Sequence, residues 1–125
     1  MMNVRAAPIA CKEKISGTQL LEMFLGCCKT AKQRQLVRTV WEHQGVLTHH
    51  LTELYGFRSN NHHNFSQSIN PRLLVKGWVI AKHKPSEPHG SWRWFIQPAY
   101  QALSCDIKPT LRQMILDHLK AANDE

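Results

Sequence analysis

Long apolar runs are missing from these 125 residues. None approaches the roughly 20 residues that cross a bilayer, and the opening MMNVRAAPIACKEKIS lacks the apolar stretch of a secretory leader. The expectation is a protein without membrane contact, in the cytoplasm. Cysteine is scarce: Cys11, Cys27, Cys28 and Cys105, with no C-x-x-C pair. That spacing supports neither a disulfide framework nor a zinc ribbon, and the thiols read as reduced, small apolar fillers. Only six glycines are present and none builds a phosphate-cradling loop; no G-x-S-x-G occurs either. No C-x-x-C or H-x-x-x-H supplies the short spacings that zinc sites favour, despite His43, His49, His50, His62, His63, His83, His89 and His118. The sequence therefore implies no metal, no cofactor and no catalytic constellation.

Acidic residues are also few, and their distribution is informative. Lys and Arg number 16 against nine Asp and Glu, a formal charge of +7. From Lys29 to Arg93 there are ten basic residues and only Glu42, Glu53 and Glu87 as acids, so this segment carries the whole excess. The flanks cancel. A basic centre between neutral ends suits a polyanionic partner, although a solvated basic surface could produce the same balance. With 42% apolar and 20% charged residues the chain can bury one core.

Periodicity supplies the elements. Residues 1–17 show none and read as a flexible arm. Leu20, Leu21, Phe24, Leu25 and Cys28 recur at helical spacing, predicting a helix over 18–28. Thr30-x-x-Gln33 has the form of a capping box, followed by the stripe Leu36, Val37, Val40, Trp41 and a stop at Gly45. Val46 and Leu47 precede Thr48, a good N-cap, and a short helix ends at Gly56. A further helix starts near Ser59, with Phe65, Ile69 and Leu73 on its core edge. Its other face is almost wholly hydrogen-bonding: Asn60, Asn61, His62, His63, Asn64, Gln67, Ser68 and Arg72. Pro71 either kinks this helix or lets Asn70 cap a fresh turn. After Gly77 the period changes to two. WVIAKHK and SWRWFIQ read as the arms of a hairpin with PSEPHG at its tip. A second apparent capping box, Thr110-x-x-Gln113, opens an amphipathic helix over 110–122 carrying Leu111, Met114, Ile115, His118 and Leu119.

The order helix, short strand, helix, turn, helix, hairpin, helix resembles a winged helix-turn-helix domain. The likeness rests on GVLTHHLTELYG, FRSNNHHNFSQSINPRLLVKGW and the WVIAKHK…SWRWFIQ hairpin, and spans roughly residues 30–97. LLVKGWV is similar to the join between recognition helix and wing in many bacterial regulators. The resemblance implies an α+β, mainly α fold: one domain over 18–125, with its core at 30–97 and flanking helices at each end. It also implies a sequence-specific regulator of transcription on double-stranded DNA, a repressor of the small phage or plasmid kind.

Asn and Gln can pair with adenine and Arg with guanine in the major groove. Asn60, Asn61, Asn64, Gln67 and Arg72 are thus candidate base readers, with His62, His63 and Ser68 on the same face. Thr48, Arg58, Ser59 and Lys76 are candidate phosphate contacts. On the wing, Lys82, His83, Lys84, His89 and Arg93 can reach the backbone or the minor groove. A homodimer is expected, because one such module reads few base pairs. Its expected interface takes Leu21, Phe24, Leu25, Leu111, Ile115 and Leu119 from the flanking helices; the competing reading folds these stripes onto the chain's own core. Two other functions stay open: an adaptor whose basic face binds an acidic protein partner, and single-strand DNA or RNA binding through Trp78, Trp92 and Trp94.

Overall fold

The computed structural model describes residues 16–55, 59–88 and 90–123, and within them not the side chains of residues 54, 55, 59–65 and 123. The described residues form six helices, α1 (Gly17–Leu25), α2 (Ala31–Glu42), α3 (Thr48–Tyr55), α4 (Ser59–Val75), α5 (Ala99–Ala102) and α6 (Pro109–Asn123), and three strands, β1 (Val46–Leu47), β2 (Trp78–His83) and β3 (Arg93–Pro98). The fold is α+β and mainly helical.

The helix starts show which local signals act. Ser16 and Gln19 close a full capping box on α1, each side chain satisfying the other's backbone N–H. The reading from the sequence began this helix one residue later than it does. Thr30 caps α2 by accepting from Gln33 N at 3.1 Å. The Gln33 carboxamide, however, accepts from Lys29 N at 2.7 Å instead of returning to Thr30. The box expected at Thr110 does not form that way: Pro109 is the first residue of α6 and Gln113 donates to Asp117 at 2.8 Å. Gly45 and Gly77 follow α2 and α4 with φ of +87° and +86°, where the missing Cβ matters.

β2 and β3 form an antiparallel hairpin with Trp78 opposite Pro98 and His83 opposite Arg93. β1 pairs with the outer side of β3, so the sheet order is β1-β3-β2. Both faces of the hairpin are covered. Ile80, Trp94 and Ile96 pack against Phe24, Leu36, Val37, Val40, Leu51, Ile69 and Leu73 from α1 to α4. Val79 and Ala81, on the opposite face, pack with Leu74, Ala99, Ala102, Ile107 and Ile115. Phe24, Trp41 and Trp78 meet edge-to-face at 4.9–6.4 Å between ring centres.

This two-sided core corrects part of the expected dimer interface. Phe24 and Ile115 are both 0% exposed within a single chain. Leu21, Leu25 and Leu111 are half-buried against the same two clusters. Leu119 stays exposed, together with Leu116. An amphipathic stripe looks the same in sequence whether its cover is a second copy or the far face of its own hairpin; here the hairpin provides it.

α4 runs through Pro71. The ring removes the donor that would serve the Gln67 carbonyl, but both residues are exposed. Asn70 does not cap a fresh turn. It is 4% exposed, and its amide pairs with both backbone groups of Ile80, accepting from N at 2.7 Å and donating to O at 3.0 Å. These groups lie on the outer edge of β2, so Asn70 substitutes for a neighbouring strand. Gln44 does the same for Ile96, at 3.0 and 3.1 Å. Asn70→Ala leaves a buried donor and a buried acceptor without partners, and should cost about 2–4 kcal/mol. Urea unfolding measures this. A loss under about 1 kcal/mol would show that water replaces the amide.

Candidate nucleic-acid interface

The structure sorts the proposed contact residues into three sets. The first makes packing contacts within the chain. Arg72 donates from Nε to the Cys27 carbonyl and from its terminal nitrogen to Gln33 Oε1 at 3.4 Å, clamping α4 to the α1–α2 junction. Ser68 accepts from Gln33 Nε2 at 3.3 Å in the same junction. Thr48 donates to the Trp92 carbonyl at 3.2 Å and accepts from the Trp94 indole at 2.8 Å, which ties α3 to the hairpin. Arg72 and Thr48, expected as a base reader and a phosphate contact, thus hold intrachain hydrogen bonds between elements. Helical spacing alone could not show that Arg72 faces α1, because the contact spans 45 residues.

The second set lies along α4 and the adjoining edge of β2. Gln67 is exposed, as are Pro71 and Val75 four and eight residues on. Asn60 and Asn64 fall in the same helical register as Gln67, seven and three residues before it. The side chains of Ser59, Asn60, Asn61, His62, His63 and Asn64 lie outside the described residues, as do Arg58 and His89 altogether. Lys76 is exposed just after α4. Lys82 borders the same cleft as Gln67, and with them stands Lys108, between α5 and α6, which the sequence reading did not single out. Lys82 is half-buried with its ammonium 5.2 Å from the Trp94 ring centre. Burial, then the charge of Lys108, then a hydrogen bond with it bring its pKa down to about 8.

The third set sits on the other side of the hairpin, because His83 and Arg93 alternate with Lys82 and Trp94 along their strands. His83, Lys84 and Arg93 surround an open cleft of about 500 Å³ that also takes in His49 at the start of α3. His83 stacks on Phe95 at 4.2 Å and hydrogen-bonds Gln97 at 2.6 Å. Arg93 donates to the Gly45 carbonyl at 3.0 Å and remains exposed. Lys84 is exposed while its N–H bonds the Asp106 carbonyl at 2.8 Å, fixing the base of the wing. The hairpin thus carries cations on both of its faces.

The aromatics of the hairpin serve packing. Trp94 is 1% exposed and Trp78 lies in the cluster with Phe24 and Trp41. Trp92 is half-buried with the Lys108 ammonium 5.3 Å from its ring centre. Burial raises the Cys27 and Cys28 thiols, the latter to about 11, so both stay protonated at neutral pH. Among the described residues no group of three His, Cys, Asp or Glu could hold a metal ion, and no helix is long and apolar enough to cross a membrane. No protein-family model matches the chain, and neither a curated protein nor a solved structure does.

Proposed function

We propose that this chain is a non-enzymatic, sequence-specific regulator of transcription that binds double-stranded DNA as a winged helix-turn-helix domain and acts as a repressor. α2, α3 and α4 make the three-helix unit, and β2 and β3 make the wing. α4 reads the major groove, while the wing meets the backbone or the minor groove. The observation that carries this reading is the placement of the exposed Gln67 of α4 beside a hairpin that carries cations. Gln67 is open on α4 and Lys82 adjoins it, while Lys84 and Arg93 place further positive charge on the other face of the wing. A three-stranded antiparallel sheet ordered β1-β3-β2, with β1 between α2 and α3 and the hairpin after α4, supports it. An α-helix about 10–12 Å across fits the major groove. Glutamine presents a donor and an acceptor together, as adenine requires.

Selection of bound sequences from a random duplex library tests the reading directly. A defined motif is the expected outcome; recovery of no duplex at all would overturn it. On the selected site Gln67→Ala should weaken binding by about 1–3 kcal/mol, with little change on random DNA. Equal losses on both would make Gln67 a general contact and remove α4 from base reading.

A further inference from the structure

The open cleft of about 500 Å³ between α3, β1 and the wing holds more than a row of cations. Its lining changes in order from the sheet toward the wing tip. Leu47, Arg93 and His83 stand opposite one another across the three strands, and Phe95 follows Arg93 on the same face of β3. Leu47 and Phe95 are half-buried and His83 stacks on the Phe95 ring at 4.2 Å, so this end is flat and largely apolar. The exposed Arg93 and Lys84 come next, at the ends of the strands. Ser86, Glu87 and Ser91 lie beyond them toward the tip. We propose that this cleft binds a free α-amino acid with a flat side chain. The ring lies against Leu47, Phe95 and His83, the carboxylate meets Arg93 and Lys84, and the ammonium group meets Glu87.

The charges of the cleft are available to a ligand. Arg93 gives one terminal nitrogen to the Gly45 carbonyl at 3.0 Å, which fixes the guanidinium while its remaining N–H groups can still donate. Among the described residues no ion pair ties Glu87 to Lys84 or Arg93. A single acid among cations is the informative detail. A simple anion would be repelled by Glu87, whereas a zwitterion has a group of opposite sign for each part of the lining. In an α-amino acid both charged groups branch from one carbon, so they need partners on the same side of the ring wall, as Arg93, Lys84 and Glu87 are. The Ser86 and Ser91 hydroxyls can donate to the carboxylate or accept from the ammonium. The tip that carries Glu87 is braced. Gly90 N donates to the Glu87 carbonyl at 3.0 Å, and Gly90 packs on Pro85 so closely that a Cβ there would stand 2.7 Å from the Pro85 Cβ. A wall held in advance loses less freedom on binding. The volume falls within the roughly 300–1,000 Å³ of small-molecule sites.

The test is backbone amide NMR of the full chain, titrated without DNA with L-phenylalanine, L-tryptophan and L-alanine. Saturable shifts centred on Leu47, Lys84, Glu87 and Arg93 are expected with the aromatic amino acids and not with L-alanine. Phenylpropionate lacks the ammonium group and phenylethylamine lacks the carboxylate, so each should bind about tenfold more weakly than L-phenylalanine. Glu87→Gln should weaken L-phenylalanine by about tenfold and leave phenylpropionate unchanged. Lys84→Gln should weaken both of these and leave phenylethylamine unchanged. Both side chains are exposed, so the variants keep the fold. No saturable response to either aromatic amino acid, an equal response to L-alanine, or binding indifferent to Glu87→Gln would overturn the proposal. The DNA reading stands or falls apart from it: a chain that takes the amino acid but no duplex keeps the cleft and ends that reading, and a chain that binds duplex but neither aromatic amino acid ends the cleft alone.

Discussion

Affinity for duplex DNA should fall about 500-fold as salt rises fourfold, from roughly 50 to 200 mM, if the five cations Lys76, Lys82, Lys84, Arg93 and Lys108 each neutralise one phosphate. Counterion release sets the magnitude: about 0.9 in log affinity per log salt for each phosphate gives a slope near 4.5. Lys76 follows α4, Lys82 and Lys108 line the cleft beside α4, and Lys84 and Arg93 line the cleft on the other face of the hairpin. Lys84→Ala should lower the slope by about 1 and weaken every sequence alike, since Lys84 is exposed and its anchoring bond comes from the backbone. Fluorescence anisotropy over a salt series measures both. A wild-type slope below about 1 would leave no room for a phosphate-binding face. The acidic-protein alternative also predicts salt sensitivity, so competition by nonspecific duplex is the discriminating control.

The protonation of Lys82 bears on the same experiment. Its folded pKa, about 8, lies below the ordinary lysine value of 10.5. Between those values the unfolded chain holds more protons than the folded one, so this group's contribution to stability rises with pH across the window. DNA affinity should move the other way, because a phosphate needs the charged ammonium. Opposite trends of stability and binding above pH 8 would mark Lys82 as a group kept for its charge.

The parts of this fold legible in the sequence are those set by local patterns. The switch from a period of four before Gly77 to a period of two after it located the end of α4 and the start of the hairpin. The stripe Leu36, Val37, Val40 gave the buried face of α2. What could not be read was direction over distance. Arg72, on the polar side of its own helix, reaches the Cys27 carbonyl because α1 packs beside it. Asn70 looked like a cap before Pro71; it is a clamp on the edge of β2, which among the described residues has no strand on that side. Lys108 had no motif to mark it. It matters only because the return of α6 to the hairpin sets it beside Lys82. Ser16 is a different case, since Ser16-x-x-Gln19 is a local capping box that was open to recognition from the sequence.

Ile115→Asp should unfold the chain or strip α6 from the hairpin, at a cost of about 4–5 kcal/mol or more. The side chain is 0% exposed between α6, β2 and α5. The substitution removes a large apolar contact and asks a carboxylate to leave water. Losses of that size come from a short list of mechanisms, and a buried unpaired charge is one of them. Leu119, one turn further along α6, is 37% exposed, so Leu119→Asp should leave the fold within about 0.5 kcal/mol of the parent. Thermal unfolding followed by circular dichroism, with sedimentation of both variants, separates the two uses of the helix. Ile115→Asp remaining folded as a monomer would show that the residue faces a second copy after all. Loss of helix and cooperativity in Ile115→Asp, beside an intact Leu119→Asp, assigns this stripe to the chain's own core. Any dimer would then have to be built on the exposed Leu116 and Leu119 side of α6 or elsewhere on the surface.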